Sequence, residues 1–243
     1  MRCTTQLFGF APQPDSHDSQ VRKVQKCTIS NLLKSTYFLD NAVQIKTDEF
    51  IERRDRLAVA LVEAGVDAFA LEPGYTFQYY GNISQTDWEP WEPEERPFLM
   101  IVQPVVTEGI VKAKTTFLAP HFEEGRVRML GMPFPENEEL EITIWEEHWN
   151  PYATLLHTTF NNTPGVRIMV DEEMRDYIVR GLDAAGFQTV GLSSEVESVR
   201  QTKSPAEVEI LRAVNTGTVE AVRQMRPCKY TSYSLHSSRY SDL

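Results

Sequence analysis

Residues 165–192 read GVRIMVDEEMRDYIVRGLDAAGFQTVGL, and the change of rhythm inside this stretch decides the fold class. Residues 166–170 are a short apolar run, read as a strand, and Asp171 is read as the cap of the helix that follows. Met174, Tyr177, Ile178, Leu182 and Ala185 fall on one helical face, and Gly186 supplies the stop. Residues 187–192 return as a second strand. A strand, a helix and a strand in so short a span force parallel pairing through a right-handed crossover. The class is α/β.

Upstream, Thr47 is read as a helix N-cap, with Asp48 and Glu49 where the helix dipole favours acids. Phe50, Leu57, Ala58, Leu61 and Val62 repeat at helical spacing up to Gly65. Residues 66–71 form a strand closed by Pro73-Gly74. Residues 98–102 are continuously apolar, a strand covered on both faces. After a turn at Thr107-Glu108-Gly109, Val111, Ala113, Thr115 and Phe117 alternate with Lys112, Lys114 and Thr116, as a strand with one wet face does. Residues 121–130 suit a short helix. Leu140, Ile142 and Ile144 mark another half-buried strand, and Asn150-Pro151 opens a helix.

Downstream, Ser204-Pro205-Ala206-Glu207 is a capping box with proline at the first helical position. Leu211, Val214, Thr218, Val222 and Met225 line one face of a long helix, which is expected to end at Pro227. The expected organisation is a leader without ordered structure over 1–46, with a weak helix around 29–39, and a mixed-sheet domain flanked by helices over 47–200. A linking helix over 201–227 and an unordered tail over 228–243 complete it.

A chain of 243 residues buries roughly 70% of the surface its unfolded form exposes, so its core needs no staples. It carries 24 Lys and Arg against 35 Asp and Glu, a net charge of −11, which repels phosphate backbones and argues against a nucleic-acid partner. Cys3, Cys27 and Cys228 are too few and too scattered for a disulfide framework or a zinc site. Reduced thiols in a cytoplasmic protein are expected. No apolar run reaches the ~18 residues of a membrane span, and residues 7–11 are too short for a signal-peptide core; no membrane partner is expected. The sequons at Asn82 and Asn161 carry little weight.

No nucleophile elbow, phosphate loop, dinucleotide fingerprint or H-E-x-x-H is present. His148, between Trp145 and Trp149, has no partner at useful spacing, and His17, His121, His157 and His236 stand apart. The unusual stretch is 87–96, DWEPWEPEER: two tryptophans among prolines and acids. Such rings either cover a sheet edge or form a rim that holds a substrate or partner.

Residues 49–57 (EFIERRDRL), 64–68 (AGVDA) and 74–82 (GYTFQYYGN) resemble the creatinase/prolidase N-terminal domain of the Xaa-Pro aminopeptidase and prolidase-like family. There an "R-x-x-R-L" helix precedes "G-V-D-A", a strand and an aromatic "Y-x-x-G" turn. Residues 199–208 (VRQTKSPAEV) look like the "R-x-x-K-[ST]-x-x-E" signal opening the helix that joins this domain to the catalytic one. The resemblance runs over about 47–227 and implies a ribonuclease-H-like α/β domain followed by the first helix of a pita-bread catalytic domain.

That second domain, in the family, holds two metal ions, often manganese, on two aspartates, a histidine and two glutamates, which activate a water against the bond before proline. No residue here matches a ligand motif, so the resemblance implies no catalytic residue, no metal ligand and no cofactor in this chain, and no activity in isolation. Two readings follow. Either the catalytic half is missing, with the tail after Cys228 looking like another reading frame or a retained intron, or the chain is a binding or dimerising module. Its expected partners are a second copy or a full-length relative, with peptide met only beside that partner's catalytic domain. Tyr80, Trp88, Trp91 and Arg96 are then the candidate rim across such a dimer.

Overall fold

The structure, a computed structural model, describes residues 16–88, 97–135 and 138–237. It divides into two units, a sheet unit Ile45–Lys203 and a helical unit drawn from the two ends of the chain. In chain order the elements are α1 (Ser16–Leu32), α2 (Thr47–Glu63), β1 (Ala68–Leu71), α3 (Tyr75–Gly81), α4 (Gln85–Trp88), β2 (Leu99–Thr107) and β3 (Ile110–Pro120). Then come α5 (Glu124–Met129), β4 (Glu141–Trp145), α6 (Pro151–Phe160), β5 (Arg167–Val170), α7 (Asp176–Ala185), β6 (Gln188–Val190), α8 (Ser194–Gln201) and α9 (Pro205–Ser237).

The sheet unit is one mixed six-stranded sheet in the order β4-β3-β2-β1-β5-β6. β1–β2 and β2–β3 pair antiparallel, while β1–β5, β5–β6 and β3–β4 pair parallel. β1 lies centrally and all four of its residues are buried. Its alternation divides the core. Phe69 and Leu71 join Leu57, Leu61, Phe77 and Met100 on one face; Ala68 and Ala70 join Leu155, Ile168, Ile178 and Leu182 on the other. With helices on both faces, the central strands read as unbroken apolar runs. The β2–β3 hairpin turns at Glu108 and Gly109, both at positive φ (52° and 80°), as a tight primed turn requires.

Asn150 caps α6 as expected, its side chain accepting from the backbone N–H groups of Tyr152 and Ala153 at 3.0 Å each. Two other caps differ. α2 begins at Thr47 itself, after Lys46, with no side-chain cap. α7 begins only at Asp176, because Asp171 is spent on a turn in which its carbonyl accepts from the Met174 N–H at 3.1 Å.

The ends of the chain correct the sequence reading. Residues 16–32 are helical, not an unordered leader, and α9 continues through Pro227 to Ser237 where an unordered tail was expected. In the helical unit α1 packs along α9, and Cys27 is disulfide-bonded to Cys228 across 201 residues. The expected reduced thiols are therefore paired. Spacing along one strand of sequence does not register a partner brought in from the other end, and that partner is what orders both segments. Among the described residues, no helix is long and apolar enough to cross a membrane.

Candidate functional site

The chain leaves β1 toward β2 on one side and returns, after β4, on the other side as β5. The carboxyl ends of β1 and β5 therefore form a topological switch point, where an open α/β sheet leaves a crevice. A cavity of about 270 Å³ opens there, lined by Glu72 and Gly74 after β1, Trp88 and Phe98, and Asp171 and Arg175 after β5. This is at the lower edge of the roughly 300–1,000 Å³ usual for small-molecule pockets, a space for one side chain or chain terminus.

Its polar wall is an ion pair. Arg175 Nε donates to Glu72 Oε1 at 2.5 Å, with Nη2 on the same oxygen, and the Arg175 guanidinium lies 5.0 Å from the Tyr177 ring centre. Asp171 and Glu173 add two more carboxylates to the lining, so the crevice is acidic. Its apolar wall is Trp88 stacked on Phe98 with ring centres 4.0 Å apart. Arg126 covers the other side of Trp88 at 4.6 Å and donates to its carbonyl. Ser84 and Asp87 fix the start of α4 by reciprocal bonds, which hold the Asp87 carboxyl below its ordinary value.

α3, which leads away from the crevice, is held by buried arginines. Arg53 donates to the Tyr79 carbonyl at 2.9 Å. Arg54 donates to the Tyr80 carbonyl at 2.7 Å and to the Pro133 carbonyl at 2.6 Å, its guanidinium 4.7 Å from the Phe134 ring centre. These carbonyls belong to the last turn of α3, which has no acceptors' partners of its own. Burial lowers Arg54 to about 10, against the pull of Asp55 and Glu138. From α8, Arg200 donates to the Thr76 hydroxyl at 2.6 Å. The two stretches that carry the family resemblance thus converge on α3.

Of the candidate rim, Tyr80 and Trp88 are core residues, 0% and 2% exposed. Tyr80 faces Phe77 and Leu57 in the core, its hydroxyl has no hydrogen-bond partner in the structure, and burial raises its pKa well above the ordinary tyrosine value. Trp88 also lines the crevice. Trp91 and Arg96 lie outside the described residues. Sequence reasoning missed Glu72 and Arg175, whose pairing depends on β1 and β5 lying side by side. The one signal available was position, since Glu72 directly follows β1 and Arg175 stands between β5 and the start of α7. Among the described residues no three His, Cys, Asp or Glu side chains come together to hold a metal; His121 meets only Glu146, at 3.1 Å. The residues do not fit a two-manganese centre.

No protein-family model matches the chain. Over 220 residues it is 35% identical to an uncharacterized peptidase of Schizosaccharomyces pombe, covering 89% of this chain and 45% of that protein. The chain thus spans under half the length of the curated relative it matches. Among solved structures, dipeptidase PepE from Mycobacterium ulcerans superposes with a TM-score of 0.54 at 15% identity, over 75% of this chain and 51% of that one. The creatinase/prolidase N-terminal domain of an X-Pro dipeptidase from Streptococcus pyogenes matches 61% of this chain and 98% of its own, at 14% identity and a TM-score of 0.43. The fold is that of the α/β domain found in dipeptidases. The chain is thus similar in sequence to a peptidase and in fold to the matching part of a dipeptidase.

Proposed function

We propose that this chain is the non-catalytic N-terminal domain of a peptidase acting at Xaa-Pro bonds, and that its β1/β5 crevice faces the peptide. The observation that carries the reading is the 35% identity to a peptidase of which the chain spans 45%, joined to a sheet unit whose described residues assemble no metal-binding group. The acidic lining of Glu72, Asp171 and Glu173 suits a peptide's protonated amino terminus, and Trp88 suits an apolar side chain beside it. Hydrolysis, with two manganese ions as the metals, belongs to a catalytic domain supplied beside this one.

The test is to assay the purified chain with added manganese on Xaa-Pro dipeptides and longer Xaa-Pro peptides, alone and mixed with the intact S. pombe relative. No cleavage by the chain alone is expected, and a change in the relative's KM on mixing. Proline-specific cleavage by the chain alone overturns the reading. A second reading, a dimerising module, is favoured by one observation: α9 leaves Leu211, Val214, Val222 and Met225 exposed on one face.

A further inference from the structure

We infer that the Cys27–Cys228 disulfide is a redox-operated clasp, holding α1 against α9 when oxidised and releasing it when reduced. The bond joins the middle of α1 to the segment of α9 that directly follows Pro227. Of the α1 side chains described, only Thr28 is buried, and its hydroxyl is turned back to the Val24 carbonyl at 2.7 Å. Val21 and Ile29 are exposed and Val24 and Leu32 only half-buried, so the apolar burial that seats α1 is partial.

One polar contact is made to the bridge itself: the Asn31 amide, one turn beyond Cys27, donates to Cys228 Sγ at 3.4 Å. On the α9 side, Pro227 has no N–H to give the helical ladder, so the turn that leads to Cys228 lacks one backbone bond. The sequence beyond it, KYTSYSLHS over 229–237, has no apolar period to hold it in a helix alone.

The two sulfurs differ in access. Cys228 is 3% exposed, whereas Cys27 is half-buried and is the one an incoming thiolate reaches. A dithiol reductant attacks Cys27 Sγ, forming a mixed disulfide there, and Cys228 leaves as a thiolate that takes up a proton. The second thiol of the reductant then displaces Cys27, which is protonated in turn. The reductant departs as its disulfide, having supplied two electrons and two protons. A disulfide oxidant runs the same steps backwards. With both thiols free, α1 leaves α9 and uncovers the turn that carries Cys228.

The experiment uses the full chain with Cys3→Ser, so that only this pair reports. Protein purified without reductant is compared with the same protein in dithiothreitol, by maleimide labelling and by the rate of tryptic cleavage at Lys23 and Lys26. The expected result is no labelled thiol when oxidised and two when reduced, with cleavage in α1 at least about tenfold faster after reduction, since cleavage follows the open population. A Cys27→Ser variant should cleave at the fast rate with or without dithiothreitol. Both thiols labelling without reductant, or equal cleavage rates in the two states, overturns the clasp. So does cleavage within the sheet unit keeping pace with that in α1, because reduction would then unfold the chain generally.

Discussion

Tyr80 and Trp88 show what a single residue's surroundings hide from sequence. Both are large aromatics near a polar loop, and as text they suit a rim; the sheet places them in the core beside Phe77 and Phe98. Arg53 and Arg54 invert the same lesson, since arginines are almost never fully buried unless paired, and here both are buried because the end of α3 offers them carbonyls. Burial also gives a pH signature. Tyr80 and Tyr152 both have their pKa raised by desolvation, so in the folded state they stay protonated after unfolded tyrosines begin to ionise near ~10. Above that pH the folded state binds more protons than the unfolded one, and stability falls as pH rises. Chemical denaturation across that range should show a falling midpoint, and Tyr80→Phe should reduce the fall; an unchanged slope in Tyr80→Phe would assign the effect elsewhere. At Gly181, an added Cβ would sit 2.1 Å from the Tyr152 ring. Gly181→Ala gains about 1 kcal/mol of helix propensity, yet the buried Tyr152 ring would have to shift to admit the methyl. A net loss of about 1–3 kcal/mol is expected, read as a lower Tm.

At the scale of elements, legibility followed locality. The β-α-β unit, the hairpin and the helices capped by Asn150 and Ser204 were readable because their causes lie within a dozen residues. The capping box is the clearest case: the Ser204 N–H donates to Glu207 Oε2 at 2.8 Å, and the Glu207 N–H to the Ser204 hydroxyl at 3.2 Å. Replacing Ser204 by Ala should cost about 1 kcal/mol and fray the start of α9, seen as faster amide exchange over its first turn with no change in the sheet unit. Equal protection in both proteins would remove the cap from the causes of that helix. α1 and the end of α9 were not legible for the opposite reason. Neither has a self-sufficient apolar face, and each owes its order to a partner about two hundred residues away, through a disulfide that cysteine spacing alone argued against.

For the molecule as a whole, the acidic sheet unit and the helical unit face different demands. The sheet unit buries two apolar clusters, one on each face of its sheet. In the helical unit, α9 has only one of its sides occupied by α1. On the other side Leu211, Val214 and Val222, which fall on one helical face, are 46–62% exposed, an apolar stripe that water penalises. Full burial of one such side chain is worth roughly 1.5–3 kcal/mol, enough for a few of them together to offset part of the cost of bringing two chains into contact. The average mass by light scattering should therefore climb with concentration. Leu211→Glu puts a charge in the middle of the stripe, at an exposed position where folding stability is little affected, and should hold the mass at that of one chain over the same range. Should the unaltered chain itself remain monomeric at high concentration, the stripe is not a self-association surface, and the dimerising reading loses the observation that favours it.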